Sequence, residues 1–242
     1  MRPPDSLTND EIEAIEKLTL RWMHQAAIDF GVDAWDIFRQ SPDDVTDVAQ
    51  DITREMLDKL GGYNIQQRIL GNVDYRKARY IIQPQMLVRQ ALFVDSKAEK
   101  TARTATLQMS QLSLSVRQRR EGIPVEERGM LDPVCVYRGV SYLTTTLLAH
   151  YYYEEEHGEH TLKQLTLAAL PNGRLQDMYN PGPDDGIWRV GRNAPSRGEP
   201  FRIRLNFDGL ESKRPWRVQH IIYDKERNLT AVWDNDEGPS NV

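Results

Sequence analysis

Two acidic residues and a lysine mark one region of the chain as a candidate for phosphodiester chemistry. Residues 91–97 read ALFVDSK, so an apolar run ends at Asp95 and Lys97 follows two residues later. Because side chains alternate between the two faces of a strand, Asp95 and Lys97 are expected to lie side by side at the end of a buried strand. A second acid, Asp74, lies upstream in the sequence GNVDY.

These groups match the needs of metal-assisted hydrolysis. Asp74 and Asp95, with the backbone carbonyl of Ser96, are predicted to bind Mg²⁺, which prefers hard oxygen ligands. Mg²⁺ polarises a scissile phosphate and lowers the pKa of bound water. Lys97 is predicted to orient or deprotonate that water, or to neutralise charge that develops on phosphorus. Asp74, Asp95 and Lys97 are therefore the predicted catalytic residues.

An acid-x-Lys triplet alone is a weak signal, and the chain contains a second one, ESK at residues 211–213. That triplet is expected in a polar loop and does not follow an apolar run, so we interpret it as surface. The alternative for Asp95 and Lys97 is a solvated strand end. Antiparallel pairing of the strands that carry Asp74 and Asp95 would bring the two acids together, which favours the functional interpretation.

Other acidic and histidine pairs are weaker candidates. Asp51 and Glu55 lie four residues apart on a predicted helix and are candidates for a further ligand, although exposed charges are the commoner outcome there. His157 and His160 suit either a surface metal or a solvated charged turn, and we favour the turn. The sequence has no Gly-rich phosphate loop and no cysteine pair, so a nucleotide cofactor and zinc chemistry lack support.

The elements that must position these groups follow from hydrophobic periodicity and turn signals. Helices are predicted over residues 7–38 and 45–60, followed by a strand pair over 73–82 and 86–94. The later predictions are a helix over 99–114, a charged loop over 117–129 and strands over 134–137, 142–153, 161–170, 201–207, 218–223 and 229–233. This order predicts one α/β or α+β domain over 1–242, with a central mixed sheet flanked by helices.

A basic strand in the second half is predicted to read DNA. Alternation places Arg202, Arg204 and Asn206 on one face and an apolar set on the other, namely Phe201, Ile203, Leu205 and Phe207. Two guanidiniums about 7 Å apart suit guanine recognition in the major groove. The alternative is a solvated face of an amphipathic strand. The further basic residues that we predict to contact DNA are Arg197, Arg217, Lys100 and Arg103.

Composition sets outer limits on the class of protein. The chain has 242 residues, of which 39% are hydrophobic and 28% charged, values typical of an ordinary globular protein. No apolar run approaches the roughly 20 residues that span a bilayer, and the N-terminus lacks the apolar core of a signal peptide. Cys135 is the only cysteine. A net charge of −5 argues against a protein that coats nucleic acid, but not against a nuclease.

The order of several short blocks resembles a known family. The blocks are DIT at 51–53, VDY at 73–75, VDSKA at 94–98, TLQMSQL at 106–112, YNPGPD at 179–184, PSRGE at 195–199, RIR at 202–204 and PWR at 215–217. This set resembles the SfiI-type restriction endonucleases, in the BglI-like group of PD-(D/E)xK type II nucleases. The D-x-K element alone is unspecific, but the combined set covers most of the chain.

The resemblance implies a type II endonuclease that uses Mg²⁺, cuts double-stranded DNA at an interrupted GC-rich palindrome and leaves 3′ overhangs. It implies a PD-(D/E)xK fold with N-terminal helices (1–60), a catalytic strand pair and helix (70–115) and a β-rich DNA-recognition part (130–235). Catalytic roles fall on Asp74, Asp95 and Lys97, and guanine reading on Arg202 and Arg204. It further implies a homodimer or homotetramer in the bacterial cytoplasm, with no membrane partner.

Two other functions remain open from the residues. One is a structure-selective nuclease of the junction-resolvase type, which would cut by DNA shape and give no discrete fragments. The other is a non-catalytic DNA-binding protein, which would bind without cleavage in the presence of Mg²⁺.

Overall fold

Three helices begin the fold. The computed structural model describes residues 1–41, 45–59, 66–70, 77–83, 85–191, 201–224 and 226–235. The helices are α1 (Asn9–Asp29), α2 (Gly31–Gln40) and α3 (Val45–Lys59). A capping box fixes the start of α1: the Thr8 side chain accepts from the Glu11 N–H, and Glu11 accepts from the Thr8 N–H.

The single helix predicted over residues 7–38 is two helices, with the break at Phe30. The chain passes close to the sheet at this point, and a Cβ on Gly31 would lie 2.6 Å from Leu229 Cδ2. A larger residue would therefore require the Leu229 side chain to shift, so glycine allows the start of α2 to approach this part of the sheet closely. The helical spacing of apolar residues continues through the break, because both helices pack apolar residues into the same core.

The strands of the described residues follow in chain order. They are β1 (Gln66–Leu70), β2 (Lys77–Gln83), β3 (Val88–Glu99), β4 (Thr104–Leu107), β5 (Val116–Arg120), β6 (Ile123–Glu127), β7 (Val134–Tyr137), β8 (Val140–Glu156), β9 (Glu159–Leu170), β10 (Trp188–Val190), β11 (Ile203–Asn206), β12 (Val218–Tyr223) and β13 (Leu229–Ala231). Two short helices complete the set, α4 (Gln176–Tyr179) and α5 (Phe207–Lys213).

A mixed sheet forms the centre of the fold, as the sequence predicts. Its strand order over the described residues is β1-β2-β3-β8-β9-β12-β13, with β7 also paired to β8. Strands β3 and β8 run parallel, whereas the other neighbours in this main sheet are antiparallel. A small sheet, in the order β10-β11-β4, and the hairpin β5–β6 lie outside it.

Two sequence predictions between residues 99 and 129 are wrong. The predicted helix over 99–114 is the end of β3, a turn, β4 and a short 3-10 helix at Met109–Gln111. Alternating burial along β4 outweighs helix propensity, and its β-branched threonines favour a strand. The predicted loop over 117–129 is the hairpin β5–β6, whose turn residues Glu121 and Gly122 both have positive φ. The hairpin is not recognised from the sequence because it is highly charged: cross-strand pairs such as Arg117–Glu126 (3.1 Å) replace apolar contacts.

The main sheet separates two cores. Helices α1 to α3 cover one face, where the helix-side core includes Leu92, Leu147, Ala149 and Tyr151. The small sheet covers the other face, where the second core includes Leu148, Leu107, Leu205 and Phe207. Strand β8 is buried on both faces from Leu143 to Tyr151, as is typical of a strand in the middle of a covered sheet.

A buried ion pair ties the first helix to the sheet. Arg217 and Glu16 are both fully buried, with Nη2 2.8 Å from Oε2, and the guanidinium lies between the rings of Tyr179 and Trp216. The Asn172 N–H donates to the other Glu16 oxygen at 2.8 Å. The prediction that Arg217 contacts DNA is therefore wrong, because this side chain has no exposed surface.

None of the helices in the described part of the chain is long and apolar enough to cross a membrane.

Truncation of Arg217 should destabilise the fold strongly. Arg217→Ala leaves the Glu16 carboxylate buried without its cation, so we expect a loss of roughly 3–5 kcal/mol in the free energy of unfolding. Urea denaturation measures this loss. Arg54→Ala is the matched control, because Arg54 pairs with Asp51 on the surface of α3 (2.7 Å) and its removal should change stability much less. Equal losses in the two variants would contradict the structural role of Arg217.

Candidate active site

An open edge of strand β3 carries the candidate active site. Strand β2 pairs with β3 only as far as Ala78 opposite Phe93, whereas β8 pairs with β3 through Glu99. From Val94 onward, the β2 side of β3 has no strand neighbour among the described residues. One side of this segment is thus fixed by hydrogen bonds to a buried strand, and the other side faces a cleft.

Asp95 and Lys97 lie side by side on this segment, as strand alternation predicts. Asp95 Oδ2 and Lys97 Nζ are 3.0 Å apart, and both side chains are partly exposed, at 20% and 26%. The Ser96 side chain points to the opposite face and is buried. The two functional groups therefore project together into the cleft.

Burial makes the ionised form of the Asp95 carboxyl group unfavourable in the free protein. Desolvation raises the pKa of its carboxyl, and the nearby Lys97 ammonium offsets only part of this effect. Apart from that ion pair, Oδ2 has no hydrogen-bond donor in the part of the chain that the structure describes. A buried carboxylate oxygen with unused acceptor capacity suits a divalent cation, which would compensate its charge.

The cleft in front of Asp95 has a volume of about 460 Å³. Its walls come from α3, β2 and the segment after β4, with Thr53, Arg54, Arg79 and Gln111 among the lining residues. Arg79 pairs with Asp58 at 2.7 Å and Arg54 with Asp51, so two more cations border the cleft beside Lys97. Each of these three cations has a carboxylate partner, so the cleft offers cationic donors whose charge is already balanced in the free protein.

The segment that carries Asp74 lies outside the described residues, as does Arg197. Among the residues that are described, no group of three or more His, Cys, Asp or Glu side chains could hold a metal. The ligand roles of Asp74 and of the Ser96 carbonyl therefore stay predictions. Asp51 and Glu55 are exposed on α3, which matches the commoner alternative for that pair.

The predicted alternation of the basic strand is confirmed. Ile203 and Leu205 of β11 are fully buried, whereas Arg202 is exposed and Arg204 and Asn206 are half-buried on the other face. Strand β11 pairs with β4 and with β10, so the basic face belongs to the small sheet. This sheet packs on the same side of the main sheet as Asp95 and Lys97.

Lys100 and Arg103 lie in the turn between β3 and β4 rather than on the predicted helix. Both are exposed. Lys100 pairs with Glu155 at 2.7 Å, and Arg103 Nη1 lies 3.7 Å from Asp208. Both stay predicted DNA contacts, although each already has an acidic neighbour.

The remaining candidates are surface or packing residues. The triplet at residues 211–213 lies on α5 instead of the polar loop that we expected. His157 belongs to the turn between β8 and β9, as expected of a charged turn, and His160 packs against the Tyr153 ring.

Sequence reasoning missed two residues at this site. Glu99 continues the two-residue period of Asp95 and Lys97, but the helix predicted from residue 99 concealed it. Arg189 lies directly opposite Arg204 across β10 and β11, so both side chains share one face. Arg189 was missed because β10 has only three residues, too few for an alternation of apolar and polar residues to be recognised in the sequence.

Comparison with known proteins identifies the family. Residues 21–221 match the family model described as type II restriction enzyme SfiI. The chain is 34% identical to the type II restriction enzyme SfiI of Streptomyces fimbriatus over 239 residues, which cover 93% of this chain and 89% of the relative.

Solved structures agree with that assignment. The crystal structure of tetrameric restriction endonuclease SfiI bound to cognate DNA superposes with a TM-score of 0.85 at 32% identity, covering 97% of this chain and 93% of that one. The structure of the restriction endonuclease BglI bound to its DNA recognition sequence shares the fold, with a TM-score of 0.70 at 18% identity over 90% of this chain and 93% of that one. The chain therefore belongs to the SfiI family and is a type II restriction endonuclease.

Proposed function

We propose that this enzyme uses Mg²⁺ to hydrolyse double-stranded DNA at an interrupted GC-rich palindrome and leaves 3′ overhangs, in the bacterial cytoplasm. The observation that carries the proposal is the Asp95–Lys97 pair on the open edge of β3, in a cleft bordered by cations. The family relation supports DNA as the substrate, because the solved SfiI and BglI structures are described as DNA complexes. Packing of helices and of the small sheet on opposite faces of one sheet supports a single domain over 1–242.

Asp95 and Asp74 are the proposed metal ligands, together with the Ser96 carbonyl. Asp74 lies three residues before Lys77, the first residue of β2, so the chain limits the distance between their Cα atoms to about 11 Å. Lys77 precedes Ala78, which pairs with Phe93 two residues before Asp95. Asp74 therefore lies close in sequence to the strand that pairs with β3, which supports the proposal that it shares a cation site with Asp95.

Lys97 is the proposed partner of the attacking water and of the phosphate. Its ammonium lies 3.0 Å from Asp95, so the amine is held beside the proposed cation rather than free in solvent. A Mg²⁺ ion bound there would supply positive charge to the scissile phosphate and would acidify water. Lys97 would orient the nucleophile and balance charge that develops on the phosphate oxygens.

The exposed face of the small sheet is the proposed base-reading surface. Arg189 and Arg204 face each other across β10 and β11, and like charges in directly opposite positions repel. A polyanion would relieve this repulsion. Arg202 and Arg204 are proposed to read guanine through paired N–H donors, with Asn206 beside them. Arg197, Lys100 and Arg103 are proposed to contact the backbone around this surface.

The proposed assembly is a homodimer or a homotetramer. Cutting both strands of a palindrome requires two active sites related by a two-fold axis, so a symmetric dimer is the smallest economical unit. The SfiI enzyme in the solved complex is described as tetrameric, which supports the larger assembly for a relative of 32% identity.

Digestion of a sequenced phage DNA with Mg²⁺, followed by mapping of the fragment ends, tests the proposed activity. We expect discrete fragments whose ends give one recognition sequence and a 3′ overhang. A smear without discrete bands would point instead to a structure-selective nuclease. Binding without any cleavage would point to a DNA-binding protein.

Asp95→Asn should abolish cleavage and leave specific DNA binding largely intact, because it removes a charged ligand and keeps the shape of the side chain. Single-turnover cleavage and a binding assay on the mapped site measure the two effects. Glu211→Gln is the matched control, since it alters the acid of the other acid-x-Lys triplet, which we assign to the surface. Cleavage by Asp95→Asn at an undiminished rate would remove Asp95 from the active site.

Arg204→Ala should weaken specific binding by about 1–3 kcal/mol and relax the choice of base at one position. Selection of bound sequences from a randomised site measures the relaxation. Arg227→Ala is a suitable control, because Arg227 pairs with Asp36 of α2 on the helical face of the main sheet. An unchanged base preference after removal of Arg204 would refute its reading role.

Arg189→Ala should weaken binding to specific and non-specific DNA by similar factors, because we assign this arginine to a phosphate. The dependence of log K on log salt should become shallower by about one unit. Titrations of both DNAs at several salt concentrations measure the slope. A loss confined to the specific site would instead assign Arg189 to a base.

A further inference from the structure

Glu99 is an acidic residue at the site to which the proposed mechanism gives no role. It lies on β3 two residues beyond Lys97 and four beyond Asp95, so the three side chains share one face of the strand. Its side chain is 21% exposed. An acid in this position needs an explanation, because it adds negative charge next to a surface that must bind DNA.

The Glu99 carboxylate joins β3 to the small sheet. Oε2 accepts the backbone N–H of Thr106 in β4 at 3.3 Å and lies 3.8 Å from Arg204 Nη2 in β11. Thr106 and Arg204 are themselves paired across β4 and β11. One carboxylate therefore contacts two paired residues of the sheet that carries the proposed base-reading arginines.

A third contact comes from the centre of the main sheet. His150 of β8 is fully buried, and its Nε2 lies 3.4 Å from Glu99 Oε2. His150 is also opposite Lys97 in the β3–β8 register. The Glu99 carboxylate is thus held between the rigid middle of the main sheet and the small sheet.

The surroundings of Glu99 favour its ionised form. Desolvation raises the pKa of the carboxyl, but contacts with His150, with the Thr106 N–H and with Arg204 outweigh it, so the net pKa is lowered. A carboxylate that stays charged can fix a guanidinium in one orientation.

Arg204 depends on this carboxylate for its orientation. Its Nη2 also donates to Thr101 Oγ1 at 3.1 Å, and its Nε is buried without a hydrogen-bond acceptor in the described residues. The Glu99 and Thr101 contacts lie at one end of the fork. Bidentate recognition of a base requires the guanidinium group to be held in one plane and one direction. Loss of one of these contacts should therefore reduce the selectivity of Arg204 for its base.

We propose that Glu99 is a positioning residue that couples base reading by Arg204 to the catalytic pair Asp95 and Lys97. This inference rests on the proposed function of the same site. Correct seating of Arg204 on its base fixes Glu99, and β3 carries that constraint over four residues to Asp95, about 13 Å. A wrong base would displace Arg204 from Glu99 and leave the Glu99 carboxylate unbalanced on the face of β3 that carries Lys97 and Asp95.

Glu99→Gln tests the charge without removing the side chain. The amide keeps a carbonyl oxygen that accepts the Thr106 N–H, but it loses the attraction for Arg204. We expect the ratio of cleavage rates at the mapped site and at a site changed at the guanine read by Arg204 to fall about tenfold. Glu126→Gln is the matched control, because Glu126 pairs with Arg117 in the hairpin β5–β6. Urea denaturation of both variants checks that each is folded.

A double-mutant cycle with Arg204→Ala separates coupling from a structural role. If Glu99 acts through Arg204, Glu99→Gln should reduce discrimination in the parent enzyme and have little further effect in Arg204→Ala. Additive effects on discrimination, or unchanged discrimination in Glu99→Gln, would overturn the inference while leaving the proposed function intact. Unchanged discrimination in Arg204→Ala would overturn both the inference and the proposed reading role of Arg204.

Discussion

Parallel pairing of β3 with β8 is the constraint on which the site depends. Strand β8 is buried on both faces, and it holds β3 over the whole length from Gln90 to Glu99. Strand β2 stops pairing at Phe93, so among the described residues the last part of β3 is paired on one side and borders a cleft on the other. An edge that is exposed but not mobile is what a catalytic pair requires, because functional groups must be held in place before a substrate arrives.

Burial separates a structural arginine, Arg217, from the proposed base-reading arginine, Arg204. Arg217 is fully enclosed by Glu16 and two aromatic rings, and its contacts hold α1 to the sheet. Arg204 also has a carboxylate neighbour, but at 3.8 Å and with about a third of its side chain exposed. The first arginine has no exposed surface for a ligand, whereas the second is oriented by its partner and still faces solvent. The sequence predicts a DNA contact for both, although Arg204 lies within the strand predicted over 201–207 and Arg217 just before the one predicted over 218–223.

The sequence predicts best where a single period determines the structure. Alternation along residues 91–97 and 201–207 depends only on one strand and one core, and it correctly orients Asp95, Lys97 and Arg204. The sequence predictions are wrong where contacts with residues distant in sequence determine the structure. The β5–β6 hairpin depends on cross-strand ion pairs, and β4 depends on a core that forms only when the small sheet packs on the main sheet. Arg217 is buried because α1 brings Glu16 to it from about 200 residues away, as the separation of 201 shows.

The two guanine-reading candidates differ in how freely they can change. Arg204 contacts Glu99 and Thr101, whereas Arg202 is exposed just before β11, and its buried neighbours Phe201 and Ile203 belong to the opposite face. A substitution of Arg202 therefore leaves both the core and the tie to β3 in place. Of the two proposed base-reading residues, Arg202 is therefore the one whose replacement disturbs fewer contacts within the protein.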